Sequence, residues 1–434
     1  MKKIFTSVLF TLLVSATLFG GGTVNDKIDL VEDGTGDFII GGAFFANKDG
    51  WKTDLRVVNT NITATSIVKV SIADGRESGD LLDFAIYLTP GDVWSGTLYY
   101  DASKIDPTNN CGGVFMYSDD DSLVTSAGKA SDGPLDICLG TGLRAIGADL
   151  NDNFGYIEVI GMAEIAGVKT INGVTTDFST APVDKIAVYN AYMSYQQVGE
   201  IARENAMIAD GWTSVGNDAV GLEVNLIDEV NALSMSYRGV AFENFMGGRV
   251  VSNGVVSKDI VFKDYSNKTQ TDLINEVEAA IIFDSVDFNY YETAGATNET
   301  VLIMTSVTKR ERFVDGTIGT IWELNTSAPA PVTSSDYCAG YTWQSRDMQE
   351  HTIKQSYIPP EFSGGVPGNN FNLGISCNEA SYIRINDMLD YPEGLFSFVM
   401  FGLGTTIPAI PLVLTVKSVN GTNVADKITP FLHD

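Results

Sequence analysis

The chain has 434 residues, 55 acidic against 27 basic, and a formal net charge of −28. Such an excess repels phosphate, which excludes nucleic acid as a partner and disfavours anionic membrane surfaces. Hydrophobic residues at 44% exclude a disordered chain, and 19% charged residues beside 43 glycines describe a folded, turn-dense, β-rich protein.

In chain order, Lys2 and Lys3 precede the apolar run from Ile4 to Leu18, with small residues at Ser15, Ala16 and Gly20 to Gly22. This order of regions predicts a signal peptide over residues 1–20, and so an exported protein: extracellular, at the cell surface, or in the periplasm of a bacterium. The run is too short and too rich in Ser and Thr for a membrane span, and none is expected in the mature chain. From Phe38 to Tyr100 the chain reads as consecutive strands. Val68, Val70 and Ile72 fall on one face, as do Leu82, Phe84, Ile86 and Leu88, and then Trp94, Leu98 and Tyr100. Between them, Thr89-Pro90-Gly91-Asp92 has the composition of a type II turn. Further strands are expected at Val114–Tyr117 and Tyr156–Ile160.

From Val183 to Met207 the period changes. Ala191, Tyr195, Val198, Ala202 and Ala206 recur every three or four residues, which predicts a helix. A strand pair is expected at Gly221–Ile227 and Leu233–Tyr237, and a strand at Val255–Phe262. A second short helix is expected at Thr271–Phe283, capped by Thr271. Strands then return at Val301–Val307 and Ile318–Glu323. The apolar stretch Leu395–Val419 is cut by Gly402, Gly404, Pro408 and Pro411, so strands and turns are expected there. The expected fold is mainly β: antiparallel β-sandwich modules, Ig-like or jelly-roll-like, with one or two short helical insertions. Its expected organisation is a signal peptide at 1–20, an N-terminal sandwich module at 23–180, a helical segment at 181–210 and a C-terminal β-rich module at 211–434.

Four cysteines in an oxidising compartment imply disulfides, and four allow three pairings. Nearness in sequence favours Cys111–Cys138 and Cys338–Cys377, each closing a loop worth about 3–4 kcal/mol in the chain-entropy model. A zinc site would need closer cysteine spacing or histidines beside them, and neither is present. With only His351 and His433 in the chain, and no G-x-S-x-G elbow, histidine-based catalysis has almost nothing to build on. Carboxylate pairs are too abundant to single one out as a glycosidase pair. Trp51, Trp94, Trp212, Trp322 and Trp343 suit a sugar site or a sandwich core equally. No catalytic residue is expected, and the chain is read as a non-enzyme.

Calcium is the candidate cofactor. Asp149, Asn151 and Asn153 place oxygen ligands at alternate positions, and Asp119 to Asp121 form a second acidic cluster. The first site departs from an EF-hand, with Phe154 where that loop needs Gly and Ile160 where it needs Glu. The competing reading of both is a solvated turn, because Asp and Asn dominate turns.

Trp51 to Asn61, Leu82 to Trp94, Gly155 to Ile160, Leu222 to Ile227 leading to Tyr237 and Phe242 to Phe245, and Thr300 to Lys309 occur in that order along the chain. Together these segments resemble a family of exported bacterial envelope or cell-surface proteins. The family has no established activity, so the resemblance carries over no catalytic residue. It implies a secreted, β-rich surface protein.

The expected function is that of a non-enzymatic structural or interaction protein of the cell surface: a filament, surface-layer or matrix subunit, or an adhesin. Its partners would be copies of itself, in a homo-oligomer or filament, or other surface components. The alternative is a carbohydrate-binding or carbohydrate-active protein using aromatics and carboxylates. The Gly- and Asp-rich segment 20–37 reads either as a loose terminus or as an arm that adds a strand to a neighbouring subunit.

Overall fold

The computed structural model describes residues 27–427, leaving out 48–49, 76–79, 110, 121–123, 127–128, 132–134, 141–153, 181–182, 197, 231–232, 253–267, 284, 291–298, 321, 325–330, 333–336, 348–360, 363–372, 377–379, 387–394, 402–409, 412 and 421–422. Eleven strands build its principal body. They are β1 (Phe38–Phe45), β2 (Trp51–Asn59), β3 (Ala64–Asp74), β4 (Asp80–Leu88), β5 (Val93–Tyr100) and β6 (Cys111–Ser118), then β7 (Leu135–Gly140), β8 (Phe154–Ala166), β9 (Val220–Asp228), β10 (Leu233–Arg238) and β11 (Val240–Glu243). All their pairings are antiparallel.

The strands divide between two sheets. Sheet I runs β11–β1–β8–β3–β4, extended by Asp29–Val31 at one edge and by Val124–Ser126 and Lys129–Ser131 at the other. Sheet II runs β7–β6–β5–β2–β9–β10. The predicted alternation works as expected between them. Val68, Val70, Ile72, Phe84, Ile86 and Leu88 of sheet I meet Leu55, Val57, Trp94, Leu98, Leu222 and Val224 of sheet II in one buried core. At the corner between β4 and β5, Asp92 N–H donates to the Thr89 carbonyl at 3.0 Å. Gly91 takes the positive φ of 71° that the third position of a type II turn needs.

Sheet I is buried on its other face as well. Phe38, Ile40, Ile67, Ala85, Tyr87, Tyr156 and Ile160 pack there against a helical layer in a second core. That layer contains α1 (Lys185–Met193), α2 (Glu200–Ala209) and α3 (Gln270–Ile281). Its ties are specific: Tyr192 OH donates to the Val251 carbonyl at 3.0 Å, and Trp212 Nε1 to Tyr195 OH at 2.9 Å. The single helix expected over 183–207 is in fact two. Asp184 caps the first by accepting from the N–H groups of Ile186 and Ala187. The first ends at Met193, with Ser194 as its C-terminal cap, and the second starts after Gly199, which takes the N-cap position with a φ of 86°.

Other expectations need correction. The cap of α3 is Thr269, not Thr271: its Oγ accepts from Asp272 N–H while the Asp272 carboxylate accepts from Thr269 N–H. Ile318–Glu323 is not a strand but a 3-10 turn at Ile318–Thr320 followed by the two-residue strand Glu323–Leu324, and a short helix α4 (Lys309–Val314) precedes it. The expected module boundary at 211 cuts through the sandwich, because β9 pairs along its whole length with β2. Residues 28–37 are part of the fold, not a free arm. Asp29–Val31 pairs with β11, Thr35–Gly36 pairs with β9, and Ile28 is fully buried.

After α3, the described strands form two five-stranded antiparallel sheets, one around Tyr337–Asp347 and one around Glu299–Thr305, and a two-stranded pair of Ile282–Phe283 with Ile410–Pro411. Leu395–Phe401 and Val413–Asn420 supply strands to them, as the Gly- and Pro-cut apolar stretch predicted. Among the described residues no helix is long and apolar enough to cross a membrane. The signal-peptide region and the expected strand at Val255–Phe262 lie outside the described residues.

Candidate functional site

The outer face of sheet II carries the polar half of each alternating strand. In register across β5, β2, β9 and β10 lie Ser95, Arg56, Glu223 and Arg238. One step along, Tyr117, Thr97, Asp54, Asn225 and Ser236 form the next row. Hydrogen bonds run along these rows: Thr97 Oγ1 to Asp54 Oδ1 at 2.6 Å, and Ser236 Oγ to Asn225 Oδ1 at 3.1 Å. Arg56 approaches Glu223 at 3.4 Å with both side chains about half exposed, at 59% and 47%. Arg238 donates to the Asp33 carbonyl at 3.0 Å. The Thr35 side-chain and backbone donors, with Arg238 as a lesser cause, hold the Asp33 carboxyl below the usual carboxylate range. Asp54, Arg56, Glu223, Asn225, Ser236 and Arg238 line a groove of ≈ 440 Å³ on this face.

Beside the groove, towards β6 and β7, the same face is aromatic. Tyr117 is 39% exposed. Tyr99 stacks on Phe115 with ring centroids 5.6 Å apart, and the Lys104 ammonium sits 4.8 Å from the Phe115 centroid. Lys104 Nζ donates to Asp136 at 2.8 Å and to Tyr99 OH at 2.7 Å, and Tyr99 OH donates to Asp136 at 3.0 Å. Those two hydrogen bonds, Asp136 first, raise the Lys104 pKa above the usual lysine value, so the cation is held charged at the surface. Burial raises the Tyr99 hydroxyl. The Cys111–Cys138 disulfide clamps this end of the sheet by joining β6 to β7, with Cα atoms 5.7 Å apart. This is the pairing that sequence proximity favoured.

The other predicted site residues fare unevenly. Cys338 sits in the strand Tyr337–Asp347, but Cys377 lies outside the described residues, and with it the second pairing. Asp149, Asn151, Asn153 and Asp121 lie outside them too, as do His351 and His433. Asp119 is exposed just past β6. Its neighbour Asp120 accepts hydrogen bonds from the Ser95 N–H and hydroxyl. Among the described residues no three His, Cys, Asp or Glu side chains gather as a metal site. Three of the five tryptophans, Trp94, Trp212 and Trp322, are at most 2% exposed, which makes them core residues and takes them out of any surface site.

Two buried polar clusters escaped the sequence reading. On the outer face of sheet I, Lys69 pairs with Asp83 at 3.0 Å, and Glu158 is buried on the neighbouring strand β8. Lys69 and Ser71 are the polar positions that alternate with Val68, Val70 and Ile72, yet every residue of β3 is buried. The second cluster centres on Asp37, whose carboxylate accepts from the N–H groups of Met246 at 2.8 Å and Phe245 at 3.2 Å. Burial pushes this carboxyl up to about 7 against those two donors. It pins the segment after β11 to the start of β1.

Comparison with known protein families, with curated proteins and with solved structures gives no match.

Proposed function

We propose that the protein is an exported, non-enzymatic interaction protein of the cell surface, which binds through the outer face of sheet II. What supports the reading is the contrast between the sheets. One sheet is covered on both faces, whereas the other presents a hydrogen-bonding face some five strands wide that ends in an aromatic edge. Rows of Arg, Asp, Glu and Asn without a histidine or a metal-binding cluster in the described face suit recognition better than proton transfer. The order of regions at the N-terminus supports export, and the resemblance to envelope proteins agrees with it.

The test is co-sedimentation of the purified protein with the envelope fraction of the cells that make it, together with electron microscopy of the protein alone, with and without calcium. Arg56→Glu with Arg238→Glu should abolish retention while leaving the circular dichroism spectrum unchanged. Retention that survives this double reversal in a folded protein rejects the face as the contact surface.

A second reading has one observation in its favour: the exposed Tyr117 ring stands on the same face as the polar groove. An aromatic ring beside carboxylates and amides suits an extended sugar chain. Discrete monomers that bind a glycan array, and lose binding on Tyr117→Ala, would select this carbohydrate-binding reading over assembly.

A further inference from the structure

We propose that Lys69 and Asp83 condense into an intramolecular amide that joins β3 to β4 covalently, with Glu158 as the proton relay. This inference is independent of what the face of sheet II binds. Lys69 is fully buried and its Nζ lies 3.0 Å from Asp83 Oδ2, where the carboxylate side chain is only 8% exposed. That N···O contact sets the Lys69 amine directly against the Asp83 carboxyl group whose Cγ it would attack, and both side chains are held by neighbouring strands of the sheet. Ser71 lies in register opposite Asp83 on one side and opposite Glu158 on the other. Lys69 is two residues along the same face from Ser71. The amine and both carboxyls are therefore diagonal neighbours across three adjacent strands, within reach of long side chains.

The surroundings are dry. Lys69 stands in register with Ala85 and Ile160, and Glu158 with Ile40, all three of which are fully buried. In such a medium an ammonium–carboxylate pair is costly to keep charged, and condensation removes both charges at once. One proton passes from Nζ to the Asp83 carboxylate as the step begins. The Nζ lone pair adds to Cγ of Asp83, and the tetrahedral adduct gives up its hydroxyl as water. Glu158 takes the proton that nitrogen loses and delivers it to the departing oxygen. One N–C bond forms and one C–O bond breaks, so ammonium plus carboxylate becomes amide plus water, with no co-reactant.

Intact-mass measurement of the unfolded, reduced full chain tests this. The wild-type mass should lie one water below that of its sequence. Fragment ions should join the segment holding Lys69 to the segment holding Asp83. Asp83→Asn should release ammonia in place of water. Lys69→Arg should keep its full mass, and Glu158→Gln should condense about 100-fold more slowly or worse. A folded wild-type protein at full mass, or a water loss that maps to an Asp-Gly step such as Asp74-Gly75, overturns the proposal. Condensation of the Glu158→Gln protein at the wild-type rate removes Glu158 from it.

Discussion

The outer faces of the two sheets began as the same kind of sequence and ended in opposite environments. On β2, the residues Lys52, Asp54 and Arg56 alternate with core residues and face solvent or the surface groove. On β3, the residues Lys69 and Ser71 alternate with core residues in the same way, yet they are buried under the layer that covers sheet I. A polar residue at every second position of a strand thus marks a face without saying whether that face is wet. What distinguishes the two is solvent, not the length of the ion pairs: Arg56–Glu223 at 3.4 Å and Lys104–Asp136 at 2.8 Å are both partly exposed, whereas Lys69–Asp83 at 3.0 Å is buried. Burial makes an unpaired charge expensive, and solvent makes it cheap.

The comparison breaks first, and hardest, at Lys69. Replacing it by Met removes the partner of the buried Asp83, whether ionic or covalent, and should cost about 3–5 kcal/mol in urea denaturation. The double variant Lys69→Met with Asp83→Leu should recover most of that loss if the cost arises from stranded charge. No recovery would mean that a covalent or steric role dominates instead.

On the other sheet, the largest single effect should come from its staple. Cys111→Ser with Cys138→Ser removes a crosslink of sequence separation 27 and should cost about 3 kcal/mol. It should loosen the aromatic edge around Tyr99 and Phe115 more than the groove at Arg56. Peptide mapping without reduction would show the loss directly. The same map of the wild-type protein should return a Cys338–Cys377 peptide, and a Cys111–Cys377 peptide would contradict both pairings.

Asp37 gives a prediction in pH. Its carboxyl rises from 3.8 in the unfolded chain to about 7 in the fold, chiefly through burial. A raised acid binds its proton more tightly when folded, so its contribution to stability is fully present below 3.8 and is lost as pH rises through about 7. Asp37→Asn does not titrate and presents an amide to one of two N–H donors, a cost of about 1–3 kcal/mol. The stability gap between wild type and variant should therefore narrow from pH 4 to pH 7. A gap that widens over this range refutes the assignment.

The smallest effect should be at the open face. Arg56→Ala and Glu223→Ala should each shift stability by less than about 1 kcal/mol, singly or together, with salt weakening even that. A coupling energy as large as that of Lys69 with Asp83 would erase the distinction between the sheets.

Much of this was legible in the sequence because it is local. The Thr89–Asp92 turn, the paired strands β9 and β10, the helical period after Val183 and the spacing of Cys111 and Cys138 are short-range signals, and the structure contains each of them. What depended on distant partners was not legible. Nothing in the composition of β9 says that it pairs with β2, more than 150 residues earlier, so the sandwich was closed too soon. The same limit hid Lys69, because its burial is set by the helical layer and its partner lies on another strand. The cap at Thr269 was missed for a smaller reason. The box needs an acidic residue three positions on, and Asp272 stands in that relation to Thr269, whereas Ile274 stands in it to Thr271.

Carboxyl footprinting most directly tests the claim that one sheet is closed and the other is the contact face. The protein is labelled with a carbodiimide, alone and bound to the envelope fraction. In the free protein Glu223 should label readily and Asp54 measurably, whereas Asp83 and Glu158 should stay unlabelled. On the envelope fraction Asp54 and Glu223 should become protected. Labelling of Asp83 or Glu158 in the folded protein, or protection that appears elsewhere while Asp54 and Glu223 stay reactive, would contradict the account.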